Sequence, residues 1–325
     1  MKHRLALLQP IWSSLWKKTS RKAILTLFFF LSPAKKHRLQ RRLRGREQLQ
    51  TLRQADCAVV SFGKSGRTWL RVLLSRVYQL KHGLPENCLI SFSNLNLVEP
   101  AVPKIFFTHD NYLKDYSPHG DSKADYRDKK VVLLVRHPAD VAVSQYHQWR
   151  YRMRPHKKTL NRYPGEGEDV AIFDFVAHHD AGLTRVIDFL NGWAEAIPSM
   201  SQLLLVRYED LRAEPEATLA RILDFIGTPG SDAEVREAVA FADFENMKKL
   251  ESGKTFRLSG GRMQARDASN PNSYKVRRGK VSGYRDYFTD EECAEIDAQV
   301  AARLSPYFGY GAIETPEPAE RATAG

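Results

Sequence analysis

Residues 57–74 read CAVVSFGKSGRTWLRVLL, and this stretch decides the fold. An apolar run from Cys57 to Phe62 stops at Gly63-Lys64-Ser65-Gly66. Apolar side chains then return at helical spacing as Trp69, Leu70, Leu73, Leu74 and Val77. A strand, a glycine turn and a helix are predicted in that order. The glycines let the backbone curl until several N–H groups face one point. The helix N-terminus adds partial positive charge there, and Lys64 adds a full one. Such a loop holds an anion, most often a nucleotide phosphate. It is not a Walker A motif, which places a glycine where Ala58 stands here. Taken alone, it also fits an ordinary glycine-containing βα turn.

Downstream, further apolar runs lead into polar residues. Ile105–Thr108 runs into His109, Val131–Val135 into Arg136, and Leu203–Val206 into Arg207-Tyr208-Glu209-Asp210. Pro138 predicts a helix start, and the amphipathic run Pro215–Ile226 stops at Gly227, a C-cap signal. Strands alternating with helices imply an α/β fold with a mostly parallel central sheet flanked by helices. In such sheets ligands bind beyond the carboxyl ends of the strands. Gly63, His109, Arg136 and Tyr208 all follow predicted strands, which gathers them at one end. Residues 151–169 are charged and rich in Pro and Gly, and predict a surface loop. Residues 252–275 lack periodicity and read as a mobile loop of the lid type, and Pro316–Gly325 as a frayed tail.

The 325 residues suit one large domain with extensions: an arm at 1–50, a domain at 51–310 and a tail at 311–325. The net charge of +12 sits entirely in the arm, where 13 Lys/Arg face a single acid, Glu47. The remainder holds 37 of each sign, so the body is neutral and a nucleic-acid partner is not expected. Cys57, Cys88 and Cys293 are odd in number and widely spaced, which predicts a reduced, cytoplasmic protein without a metal site.

Within the arm, Ala23–Leu31 is an apolar run about half the length of a membrane-crossing helix, with basic residues on both sides. Two readings stay open. Trp12, Trp16 and Phe28–Phe30 could enter a headgroup boundary while Lys and Arg contact anionic lipid, giving a protein peripheral to the membrane. Alternatively the segment is a helix packed on the body and followed by a basic tether.

Gly63-Lys64-Ser65-Gly66-Arg67-Thr68-Trp69, the Arg136…Ser144 spacing, Tyr208-Glu209-Asp210, and Arg277-Arg278-Gly279 followed by Tyr284-Arg285-Asp286-Tyr287-Phe288-Thr289 occur in that order. Together they resemble sulfotransferases that use 3′-phosphoadenosine 5′-phosphosulfate (PAPS). The resemblance runs from about 57 to 305 and implies a P-loop-like fold. It implies that Lys64, Ser65, Gly66, Arg67 and Thr68 cradle the 5′-phosphosulfate, with Lys64 facing the leaving oxygen. Arg136, Ser144, Arg277, Arg278 and Gly279 would hold the 3′-phosphate, with Trp69 and Tyr208 beside the adenine. The arginine fork suits bidentate phosphate contact independently of any family. His109 is the expected general base, since its ordinary pKa suits taking a hydroxyl proton near neutrality. The family often has Lys-Thr-His at that strand end, whereas this chain has Phe107-Thr108-His109, and Arg67 stands where threonine is usual. The implied reaction is in-line sulfuryl transfer to a hydroxyl or amine of a small-molecule, carbohydrate or lipid acceptor, without a metal, leaving adenosine 3′,5′-bisphosphate (PAP). A phosphate-loop kinase and a membrane-attached nucleotide-binding protein are the rival readings.

Overall fold

The computed structural model describes residues 2–310 apart from 254, 257–262, 264, 265 and 268, with side chains in the first helix from Trp12 onward, Ser14 excepted. The expected tail and much of the expected lid therefore lie outside the described residues. Two helices open the chain, α1 (Lys2–Leu27) and α2 (Pro33–Arg53). Ser32 caps α2 through the Lys35 amide, and Pro33 occupies its first turn, where a missing N–H costs nothing.

β1 (Cys57–Val60) passes through the glycine turn into α3 (Arg67–His82), which stops at the left-handed Gly83. β2 (Ile105–Thr108), β3 (Lys130–Val135) and α4 (Pro138–His147) follow, then a π-helical turn at Gln148–Arg152, α5 (Pro155–Leu160) and α6 (Leu183–Ala196). β4 (Gln202–Arg207) leads into α7 (Tyr208–Ala213), α8 (Pro215–Ile226), α9 (Asp232–Phe241), α10 (Phe244–Ser252) and finally α11 (Asp290–Arg303). Capping boxes at Ser231/Glu234 and Thr289/Glu292 start α9 and α11.

All four strands are parallel, in the order β2-β1-β3-β4, with Cys57 opposite both Ile105 and Lys130, and Lys130 opposite Gln202. The strands read as nearly continuous apolar runs because both faces are covered. Ala58, Val60, Val131, Leu133 and Val135 join one core with residues of α2, α4, α6 and α11. Cys57, Val59, Val132, Leu134 and Val206 join the other with α3, α8 and α9. The chain leaves β1 for β2 on one side and later returns to β3 on the other. The switch point thus falls between the carboxyl ends of β1 and β3, where Gly63 and Arg136 stand.

Two expectations need correction. Residues 151–169 are not a plain loop, because Pro155 at the first helical position starts α5, and the preceding turn buries Trp149. The basic segment after the apolar run is not a tether either. Leu49 and Leu52 of α2 are buried in the first core, and Gly45 packs so closely that a Cβ there would lie 2.3 Å from the Tyr112 carbonyl oxygen. Truncating a buried leucine of this kind costs about 2–5 kcal/mol, so the last turns of α2 belong to the folded body.

Candidate active site

One cavity of about 930 Å³ lies beyond the carboxyl ends of the strands. Of the sequence-predicted residues, Lys64, Gly66, Arg67, Thr68, Trp69, His109, Arg136, Ser144, Tyr208, Arg277, Arg278 and Gly279 all border it. Ser65 does not, since it is buried beneath the loop with 2% of its surface exposed.

The loop takes its shape from two left-handed residues, Lys64 (φ 75°) and Gly66 (φ 94°). A lysine in that region is costly and held only by its surroundings. Gly66 caps α3 at a place where a Cβ would sit 2.6 Å from the Tyr208 ring, so glycine is required by backbone and packing alike. Tyr208 meets Trp69 edge-on with centroids 5.9 Å apart, and the Trp69 indole N–H donates to the Ala242 carbonyl at 2.9 Å. The Tyr208 hydroxyl donates to Gly279 at 3.3 Å and so ties the loop region to the 277–279 segment.

Arg136 lies with its guanidinium carbon 4.4 Å from the Tyr208 ring centroid and donates to Lys280 O (2.9 Å) and Asp140 Oδ2 (3.1 Å). Its Nε is buried and has no hydrogen-bond partner among the described residues. Asp140 Oδ1 also accepts from the Tyr284 amide at 2.9 Å, so one carboxylate orients both the arginine and the C-terminal segment. Glu209 of the Tyr-Glu-Asp motif plays a similar part, accepting from the His137 amide (2.9 Å) and the Tyr310 hydroxyl (2.6 Å). Arg277 donates to the Tyr287 hydroxyl, and Arg278 pairs with Asp286 at 2.9 Å.

Cations crowd this end. Burial first, then Arg152, Lys275 and Arg277, push the Lys64 ammonium down to about 7. Burial first, then Arg277, Lys64 and Arg278, hold His147 down to about 3, so that imidazole stays neutral. The buried Glu251 at the end of α10 is a counterweight absent from the motif reading. It accepts from the Lys275 amide (2.8 Å) and the Val276 amide (3.0 Å) and pairs with Arg152 at 3.4 Å.

His109 follows β2 and faces the cavity from the other side of the loop. The Ser61 carbonyl lies 2.9 Å from its Nδ1 and can only accept, so Nδ1 carries the proton and Nε2 offers a lone pair. Arg67 Nη2 stands 2.6 Å from that Nε2. Burial first, and the Arg67 guanidinium second, hold His109 well below the ordinary histidine value. Arg67 was expected among the phosphosulfate contacts, and it is found on the predicted base. That pairing joins positions 42 residues apart, so no local pattern announces it.

Beyond His109 the cavity is bordered by α4, the Asn161–Tyr163 segment after α5, and α6. The stripe Arg185, Asp188, Phe189 and Gly192, spaced as one face of α6, borders it. Sequence reading passed over this stripe, although its helical spacing was visible. Arg41 of α2 also borders the cavity, held by Asp115 (2.8 Å), the Leu160 carbonyl (3.1 Å) and the Asn111 carbonyl (2.9 Å).

The profile of the sulfotransferase domain family matches residues 54–307. Among curated proteins, a flavonol 3-sulfotransferase of Flaveria bidentis is 26% identical over 272 residues, covering 77% of this chain and 81% of its own. Cytosolic sulfotransferase 3 of Arabidopsis thaliana is 24% identical over 269 residues, covering 78% and 77%. Among solved structures, retinol dehydratase in complex with retinol and PAP superposes with a TM-score of 0.51 at 20% identity, over 78% of this chain and 82% of that one, a likeness of fold. With a domain match that spans most of its length, this chain belongs to the sulfotransferase family.

Proposed function

We propose that the chain transfers a sulfuryl group from PAPS to an acceptor hydroxyl or amine, with His109 as general base. The observation that carries this reading is the meeting of a backbone anion loop, a second arginine group and a neutral histidine around one cavity. PAPS supplies the sulfuryl group and presents two anionic ends separated by an adenosine. The residues fit both ends. Lys64, Gly66 and Thr68 surround the position for the 5′-phosphosulfate, with Ser65 contributing only its backbone. Arg136, Ser144, Arg277, Arg278 and the Gly279 backbone serve the 3′-phosphate, and the orphaned Arg136 Nε supports a missing anionic partner there. Trp69 and Tyr208 flank the adenine between them.

His109 Nε2 takes the proton of the acceptor hydroxyl as its oxygen bonds to sulfur. Lys64 stabilises the phosphate oxygen that leaves with the electron pair of the broken S–O bond. In its present place Arg67 covers the lone pair that His109 needs. An anionic sulfuryl oxygen is a stronger partner for a guanidinium than a neutral imidazole is. Donor binding therefore draws Arg67 away and frees the base, which orders the reaction with donor before acceptor.

Radiolabelled PAPS and cell extract, incubated with the protein and searched by mass spectrometry for products heavier by one sulfuryl group, test the reaction. Transfer from labelled ATP in place of PAPS would support the kinase reading and sink this one. The cytosolic relatives support a cytoplasmic enzyme, and the arm supports a place at anionic membranes. Trp12, Trp16, Phe29 and Phe30 stand about 70% exposed beside Lys17, Lys18, Lys35 and Lys36. Among the described residues no helix is long and apolar enough to cross a membrane. Flotation on anionic vesicles, lost in a chain that begins at Ser32, is the expected result, and equal flotation of both chains rejects the anchor.

A further inference from the structure

Resting on the transfer reaction above, we infer that the acceptor is a polyhydroxylated, saccharide-like molecule rather than a flat apolar phenol. The acceptor end carries a set of polar side chains. Asn111, Gln148, Arg162 and Asp188 border the cavity, and their side chains have no hydrogen-bond or ion-pair partner among the described residues. They come from three separate parts of the chain that hydrogen bonds draw together. Arg185 on α6 donates to the Asn161 carbonyl (2.8 Å) and the Arg162 carbonyl (3.0 Å), which holds Arg162 at φ 55°. Arg41 draws in the Asn111 carbonyl. Gln145 reaches Tyr163 across the mouth of the loop at 3.0 Å.

The floor adds a buried ion pair beside the base. Lys123 Nζ lies 2.9 Å from Asp110 Oδ2, and the Tyr126 hydroxyl donates to the other Asp110 oxygen at 2.9 Å. Donors and acceptors thus both border the space, which suits hydroxyl groups, since each both donates and accepts. Against them stands one apolar platform, Phe62 with Phe189 edge-on at 5.4 Å. A pyranose has this same character, with equatorial hydroxyls around an edge and a C–H face that packs on an aromatic ring. A flat phenol would desolvate Asp188 and Arg162 without replacing the water they lose, which is the costly direction of mismatch. A site built to hydrogen-bond hydroxyls rejects analogues that lack them strongly.

The test uses the full chain with PAPS and a panel of hexoses, hexosamines and their oligosaccharides set against planar phenols and flavonols. The expected result is saccharide transfer at a kcat/KM about 100-fold above any phenol. Asp188→Leu should lower saccharide kcat/KM about tenfold, through KM, and raise phenol turnover, while Asp188→Asn retains most of the saccharide activity. Preferred transfer to phenols overturns the inference and leaves the sulfotransferase reading standing. Absence of transfer to every saccharide, with PAP binding intact, overturns it as well. Failure to bind PAP removes both readings together.

Discussion

The two ends of the cavity are built in opposite ways. The proposed donor end is made of short motifs, most of them at strand ends, with backbone N–H groups, glycines at positive φ and arginines near them. The proposed acceptor end is made of single side chains from α2, α4, α6 and the 161–163 segment after α5, which tertiary packing brings together. An anion site needs a local backbone shape, so evolution writes it as a short string. An acceptor pocket needs only that certain side chains arrive in one place, and many sequences satisfy that.

The largest expected effect breaks the link between the two ends. His109→Ala should lower kcat by about 10³-fold while PAP still binds with unchanged affinity, measured by steady-state kinetics and calorimetry. Lys64→Met, at the heart of the donor end, should cost about 10²–10³ in kcat, because one preorganised donor to the leaving oxygen is lost. Arg136→Ala should weaken PAP by about 10–100-fold and leave acceptor KM alone, since a charge-assisted contact worth about 1.5–3 kcal/mol disappears.

A pH profile sharpens the comparison further. Lys64 must be cationic to hold an anion and is pushed down to about 7, so kcat/KM for the donor should fall as pH rises through that value. Bound donor restores the lysine's charge, so the alkaline limb of kcat should lie higher. His109 must be neutral to act and is held well below its ordinary value, so activity should persist to pH values below the ordinary histidine range before it falls. Arg67→Thr removes the second cause of that depression and should move the acid limb of kcat/KM for the donor, which reports the free enzyme, upward. An unmoved acid limb in this variant would show that Arg67 does not govern the base.

The smallest effect belongs to the rim. Arg41→Ala should raise acceptor KM about threefold with donor KM unchanged, because its two carbonyl contacts position Asn111 and Leu160 rather than touch the reaction.

The same contrast explains what could be read from the chain. Gly63–Trp69, Arg136 and Tyr208 were legible because strand, turn and helix are local and fixed the end of the sheet where they meet, while Gly279 rested on the family resemblance alone. The parallel sheet was legible too, since Val131–Val135 and Leu203–Val206 are apolar on both faces. Arg67 on His109 was not, because its partner lies across β1 and β2. Glu251 was invisible for a similar reason: its two amide partners come from a segment without periodicity. Arg41 and Leu49 fall in the basic arm on local composition, where charge dominates, while burial of Leu49 is decided by tertiary packing.

The central claim is that the strand-end cations form a two-phosphate nucleotide site. Calorimetric titration of the full chain with PAP, ATP and AMP tests it most directly. The account predicts saturable PAP binding that PAPS displaces, weakened in Arg136→Ala, with ATP and AMP far weaker. Equal binding of ATP and PAP, or PAP binding unchanged in Arg136→Ala, would contradict it.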